Sequence, residues 1–211
     1  KYIISMAVAM GVAFTLTWLF GTNNEQIKNE NKPSKNKTEK AEQPAQAIKT
    51  KAENADVADD GIITAPLSGK AVKLENVPDQ TFAQGILGLG AAIEPTEGKV
   101  VAPGDGKVET LFDTFHAVGL TLDNGKELLI HVGINTVELK GEGFKAYVSE
   151  GDRVTKGQTL ITFDMDFIKS KGYQTITPVL VGNSDEFASV EELAEEGTEV
   201  TIGDRLIKVN A

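Results

Sequence analysis

Thr114–Val137 reads TFHAVGLTLDNGKELLIHVGINTV and holds both of the chain's histidines, His116 and His131. Two apolar runs, Ala117–Leu122 and Glu127–Val132, flank Asp123-Asn124-Gly125. Asn-Gly is a strong short-range hairpin signal, because both residues tolerate positive φ. With Asn124-Gly125 as a two-residue loop, Asp123 pairs with Lys126 and His131 lies opposite Val118. His116, two residues from Val118, then points to the same face. The imidazoles become diagonal neighbours with Cα atoms about 7–8 Å apart, within reach of each other. A four-residue loop keeps that parity, whereas a three-residue loop puts the histidines on opposite faces.

Two histidines on one face suit three roles. One ring can accept a phosphoryl group while the other assists. The pair can ligate a metal, since neutral imidazole is the commonest metal ligand. Or both are half-buried side chains with satisfied hydrogen bonds and no chemistry. The surrounding sequence decides among them.

Composition sets the outer bounds. The chain has 211 residues, 40% of them hydrophobic, a net charge of −10 and no cysteine. Its length allows one ordinary domain plus extra segments. The acidic balance argues against nucleic acid as a partner. Without cysteine there is no disulfide framework, no Cys-type zinc ribbon and no thiol nucleophile within this chain.

Tyr2–Phe20, YIISMAVAMGVAFTLTWLF, carries no charge and approaches the ~20 residues that span a bilayer. Trp18 stands near its end, where interfacial aromatics are enriched. The stretch is long for a signal peptide, the chain opens without Met, and no small-residue cleavage site follows. Tyr2–Phe20 is therefore expected to be a last membrane helix, at the end of something longer. Thr22 to Asp60 is poor in apolar residues and is expected to be a flexible linker. Lys28, Lys32, Lys35, Lys37 and Lys40 follow the apolar stretch, and positive charge there favours the cytoplasmic side of a cell membrane.

Gly61 opens the expected folded domain, 61–211. Here the spacing repeats: GIITAPLSGKAVKL from Gly61 to Leu74 aligns with GKVVAPGDGKVETL from Gly98 to Leu111 at a constant offset. The shared Gly, Ala-Pro, Gly-Lys and Leu suggest two similar β-units packed together. Further strands are expected at Phe144–Val148, Thr159–Asp164, Thr177–Val181, Glu199–Ile202 and Leu206–Val209, punctuated by Gly and Asp. Short strands with regular turn signals imply an all-β fold, a compact antiparallel sandwich or barrel. Short helices are expected at Phe82–Leu87, Met165–Lys171 and Val190–Glu196, the last from the capping box Ser189/Glu192. Gly85-Ile86-Leu87-Gly88-Leu89-Gly90 lacks the context and the Lys-Ser/Thr ending of a phosphate loop, and reads as a loop needing positive φ.

Leu129-Ile130-His131-Val132-Gly133-Ile134-Asn135-Thr136-Val137-Glu138-Leu139-Lys140-Gly141-Glu142-Gly143-Phe144 strongly resembles the signature of the glucose-type IIA domain of the bacterial sugar phosphotransferase system. Ala65-Pro66-Leu67-Ser68-Gly69, Val77-Pro78-Asp79, Phe82-Ala83, Thr114-Phe115-His116-Ala117 and Thr177-Pro178-Val179 extend the resemblance to essentially all of Gly61–Ala211. It implies a compact antiparallel β-sandwich that needs no cofactor and no metal. It implies that His131 takes a phosphoryl group from HPr and passes it to a cysteine of a IIB domain, which phosphorylates the incoming sugar. His116 matches the supporting histidine, and Thr114 the residue that hydrogen-bonds it. Phe82, Ile86, Leu87, Phe112, Leu129 and Val137 match apolar interface positions. Asp79 and Asn135 lie where a basic partner is expected.

The sequence departs from the family at two places. Asn135 stands where Asp is usual, and Leu89 replaces the Asp of Gly-Asp-Gly. Each removes a carboxylate from the expected docking surface. The run Phe14–Gly21 resembles the end of a IIC transport domain of the β-glucoside or sucrose branch, in which IIB, IIC and IIA follow in order. Two other readings fit less well. One is a regulatory IIA-like domain on a sugar symporter. The other is a zinc peptidase of related architecture, which would need a third ligand.

Overall fold

The computed structural model describes residues 60–211. The expected membrane helix at 1–21, and the linker at 22–60 apart from Asp60, lie outside the described residues. Among those described, no helix is long and apolar enough to cross a membrane.

The described chain is mainly strand. In order come β1 (Ile62–Thr64), β2 (Gly69–Lys73), α1 (Gln80–Ala83), β3 (Leu89–Pro95), β4 (Lys99–Val101), β5 (Gly106–Leu111), β6 (Ala117–Leu122) and β7 (Glu127–His131). After them come β8 (Phe144–Ala146), β9 (Arg153–Val154), β10 (Thr159–Phe163), α2 (Met165–Ser170), β11 (Thr177–Val181), β12 (Ser189–Glu192), β13 (Glu199–Val200) and β14 (Arg205–Asn210). An eight-stranded antiparallel sheet runs β13-β2-β3-β11-β7-β6-β5-β9, and two three-stranded sheets run β1-β14-β12 and β4-β10-β8.

Strand alternation sends successive side chains to opposite faces. Ile93, Leu120, Leu128, Ile130 and Val179 leave one face of the large sheet and pack in a single core with Ile63, Ile207, Val100 and Ile161 of the small sheets. This is the sandwich. The residues between them, Ala92, Leu129 and Leu180, face the other way and meet Leu74, Val77, Phe82, Ile134 and Ile176 in a second, smaller cluster. Central β11 is therefore buried along its whole length, which is why Thr177–Val181 reads as a near-continuous apolar run. Its Pro178 has no N–H to donate, and the ladder from β11 to β7 begins one residue later, at Val179. His131, the last residue of β7, lies just past that ladder.

The repeat seen in the sequence is a repeat of structure. β1 and β2 are matched by β4 and β5, each 37 positions on. Ala65 N–H donates to Asp204 O at 2.7 Å, and Ala102 N–H, at the matching place, donates to Gln158 O at 2.9 Å. The match extends beyond the repeat. β2 pairs β13 through Gly69–Val200 and Lys70–Glu199, while β5 pairs β9 through Gly106–Val154 and Lys107–Arg153. Likewise Ile63–Ile207 and Glu192–Ile207 in one small sheet match Val100–Ile161 and Ala146–Ile161 in the other. The large sheet reads the same from both ends, with its centre at the Val179–Ile130 pair.

Two of the three expected helices form. In α1 the Asp79 carboxylate caps the backbone N–H groups of Thr81 at 2.8 Å and Phe82 at 3.4 Å, so the helix begins before Phe82. It ends earlier than expected, because Gly85 takes φ +67° and breaks the winding before Leu87. α2 starts as expected at Met165, capped by Asp164. The third expected helix is instead strand β12. Ser189 Oγ bonds the Glu191 carboxylate at 2.9 Å, and the Glu192 carboxylate accepts Leu74 N–H at 2.8 Å. Both groups of the capping box are thus engaged elsewhere, and the backbone pairs with β14.

Candidate functional site

The hairpin forms where expected, but in another register. Ala117 pairs with His131 and Val118 with Ile130. The turn takes three residues, Asp123–Gly125, with Leu122 N–H donating to Lys126 O and Gly125 N–H to Leu122 O, both at 2.9 Å. The two-residue loop, with His131 opposite Val118, is therefore wrong. On a regular pleat this register would separate the histidines.

They meet all the same, with ring centroids 4.8 Å apart and planes at 78°. The reason is local. Phe115 takes φ +55°, left-handed and uncommon for a non-glycine residue, and β6 begins only at Ala117. The pleat therefore does not set the direction of the His116 side chain. Its backbone stays tied to the hairpin, because Val132 N–H donates to His116 O at 2.7 Å. Thr114 Oγ1 lies 2.5 Å from His116 Nδ1 and fixes the ring.

His131 is fixed from the other side. Its Nδ1 lies 2.8 Å from the carbonyl of Gly133. A carbonyl only accepts, so Nδ1 carries the proton and Nε2 holds the lone pair. Gly133 is at φ +75°, and a Cβ there would stand 2.6 Å from Gln174 O, so only glycine fits. Phe82 packs on the His131 ring at 5.0 Å and Phe112 on the His116 ring at 5.2 Å. The two imidazoles sit between two phenyl rings.

Both rings are neutral at pH 7. Burial pushes His116 down to about 4, and the neighbouring His131 adds to the shift. Burial also lowers His131, opposed in part by its bond to the Gly133 carbonyl and by the charge of Asp79. Among the described residues no cluster of three or more metal-ligating side chains forms.

The remaining expected residues divide in two. Asp79 and Phe82 reach the site from α1, and Phe112 reaches it from the end of β5. Leu87 and Leu129 pack against the second cluster, which contains Phe82. Ile86 and Val137 are 65% and 46% exposed, on the segments that follow α1 and β7. Asn135 is exposed at φ +58°, a conformation Asn tolerates, and makes no side-chain cap to the turn that follows it. Leu89 opens β3 and is 46% exposed. Two residues of the site are not singled out by the sequence: Gly133, through its carbonyl, and Thr136 beneath it. A third such residue, Asn183, lies away from the site, at the other end of the hairpin. Asn183 takes Glu127 N–H at 3.0 Å and donates to Gly125 O at 3.1 Å, holding the hairpin tip. Only Gly133 had a signal, as a glycine two residues after a candidate nucleophile.

Residues 61–187 match the family described as phosphoenolpyruvate-dependent sugar phosphotransferase system, EIIA 1. The chain belongs to this family. A glucose-specific EIIA component from Halalkalibacterium halodurans is 50% identical over 137 residues, 65% of this chain and 79% of that protein. One from Staphylococcus aureus is 47% identical over 135 residues, 64% of this chain and 81% of that protein. The solved glucose permease IIA from Mycoplasma capricolum superposes with a TM-score of 0.62 at 32% identity, over 69% of this chain and 93% of that one. This EIIA chain is accordingly a phosphotransferase component that carries a phosphoryl group on histidine. Its sandwich is the glucose IIA fold.

Proposed function

We propose that His131 Nε2 is the atom that accepts the phosphoryl group from phospho-HPr and gives it to the cysteine of a IIB domain. The observation that carries this reading is the Nδ1 bond to Gly133 O, which leaves Nε2 as the nucleophilic nitrogen of a neutral ring. In the first transfer the phosphorus–nitrogen bond of phospho-HPr breaks as a bond to His131 Nε2 forms. In the second, a IIB thiolate takes the phosphoryl group and His131 regains its lone pair. Such transfers depend on positioning and charge stabilisation. His116 supplies both. When the Thr114 hydroxyl donates to Nδ1, His116 Nε2 carries a proton that can bond a phosphoryl oxygen. Phe82 and Phe112 narrow the access of water to the pair, and the exposed Ile86 and Val137 offer apolar contact to a docking partner.

The same reading extends to the N-terminal segment. Tyr2–Phe20 anchors the domain to the cell membrane as the end of a IIC domain, with the domain on the cytoplasmic side. Its support is the uncharged 19-residue run and the lysines beyond it.

Phosphate labelling from phospho-HPr tests the assignment. His131→Ala takes up no label. His116→Gln is labelled on His131 but donates to IIB more slowly, by about 10²-fold. Undiminished labelling of His131→Ala overturns the assignment, and loss of labelling with normal donation in His116→Gln reverses the two roles.

A further inference from the structure

Thr136 has no part in the chemistry described so far, yet it is fully buried. Its hydroxyl donates to Val132 O at 2.5 Å. Its methyl carbon is the nearest atom, at 2.5 Å, to the point where a Cβ on Gly133 would stand. One side chain thus holds both sides of the Val132–Gly133 peptide, the hydroxyl on the carbonyl and the methyl beneath the α-carbon. From outside, Ile134 N–H donates to Gln174 O at 3.1 Å and fixes the far end of the same turn. The preceding peptide, His131–Val132, connects the histidines, since the Val132 N–H donates to His116 O. The carbonyl that defines the His131 tautomer belongs to the next residue, Gly133.

We propose that Thr136 is a positioning residue that keeps the proton of His131 on Nδ1, and so Nε2 free, by locking the Val132–Gly133 turn. The proposal rests on His131 Nε2 as the phosphoryl acceptor. A histidine side chain in water favours the opposite tautomer, with the proton on Nε2, and that form offers no lone pair at Nε2 to the incoming phosphorus. The Gly133 carbonyl reverses the preference only while it stays aimed at Nδ1. Thr136→Val removes the hydroxyl and keeps the bulk, leaving a buried carbonyl unpaired and the turn free to rotate. Thr136→Ser keeps the hydroxyl and gives up the methyl.

The test reads the imidazole nitrogen signals of the full 211-residue chain by 15N NMR at pH 7.5, without any donor. It then measures the rate of labelling by phospho-HPr. The wild type shows His131 protonated at Nδ1. Thr136→Val shows a mixture of tautomers and labels about 10-fold more slowly, whereas Thr136→Ser retains the wild-type tautomer and labels within about twofold. A role confined to stability would lower the melting temperature of both variants and leave the tautomer unchanged in both. Thr136→Val with His131 still protonated at Nδ1 overturns the proposal. So does a wild-type His131 protonated at Nε2, which requires no variant to fold. Should the tautomer shift as expected while labelling stays at the wild-type rate, Thr136 does not position the acceptor and the proposal fails. Failure of the acceptor assignment itself is seen separately, as undiminished labelling of His131→Ala.

Discussion

At the scale of single residues the site is a pair of bases held uncharged. His116 and His131 are both shifted below the ordinary imidazole value, chiefly by burial. In the unfolded chain each returns to about 6.5. As pH falls below 6.5, the unfolded state binds protons that the folded state refuses, so stability is lost on acidification and recovered above that value. For His116 the loss continues toward its folded value of about 4. Each histidine contributes a slope of at most about 1.4 kcal/mol per pH unit. Urea midpoints measured from pH 7 to pH 5 should fall, and His116→Gln should flatten the fall. A midpoint constant over that range would show that both rings accept protons in the folded state as easily as in the unfolded one. The neutrality is useful, because an uncharged ring has the lone pair that phosphoryl transfer requires. The two substituted acidic positions leave this arrangement intact. Asn135 and Leu89 are exposed, and the carboxylate that acts on His131 is Asp79.

At the scale of elements, α1 links stability to the site. Asp79 caps the helix, and the helix carries Phe82 onto the His131 ring. Asp79→Ala removes the cap and the charge together, and should cost about 1 kcal/mol in urea unfolding. Asp79→Asn keeps a capping oxygen, so stability should stay within about 0.5 kcal/mol of the wild type. Both variants remove the charge that raises His131, so its titration should move further down in both, as followed by NMR. Equal stability loss in both would mean that the charge, and not the cap, holds α1. The hairpin shows where an element can be read in sequence and where it cannot. Asn124-Gly125 announces a turn, but loop length is chosen by neighbours: Asp105 O takes Asp123 N–H at 3.0 Å, and Asn183 holds Glu127 and Gly125. Those partners lie outside the window from which a hairpin is read. For the same reason the capping box at Ser189 predicts a helix where β12 forms, since Leu74 and β14, which engage it, are distant in sequence.

At the scale of the whole molecule, a nearly symmetric scaffold carries an asymmetric site. In the large sheet β3 corresponds to β6 and β11 to β7, so the place of His131 is filled in the other half by Leu180, and that of His116 by Leu89. One half keeps the chemistry and the other supplies apolar packing. The two halves share one core, and each small sheet depends on the large one to cover it. Residues 60–211 should therefore fold alone and unfold as one cooperative unit in urea, with coincident far-UV circular dichroism and tyrosine fluorescence transitions. A molten or insoluble product would mean that residues before Asp60 belong to the core.

The symmetry was only partly read from the sequence. The Ala-Pro repeat was seen, but its companion was not: Glu150-Gly151-Asp152-Arg153-Val154-Thr155-Lys156-Gly157-Gln158-Thr159-Leu160-Ile161 matches Glu196-Gly197-Thr198-Glu199-Val200-Thr201-Ile202-Gly203-Asp204-Arg205-Leu206-Ile207 at seven positions of twelve. The sequence by itself determined the all-β class, most of the strands though not β3, β9 or β12, and the histidine pair with Thr114. These are carried by alternation, turn residues and motifs that act within a few positions. The swing of His116 at Phe115 and the tautomer of His131 at Gly133 O rest on local backbone geometry that alternation and turn residues do not announce. The hairpin register and the strand at Ser189–Glu192 were decided by tertiary structure alone. Each depends on a backbone group meeting a partner brought from elsewhere by the fold, as Glu127 N–H meets Asn183 56 positions away and Leu74 N–H meets Glu192 118 positions away. Local preference sets which conformations a segment can adopt, and the hydrogen bonds it must satisfy on burial select one of them.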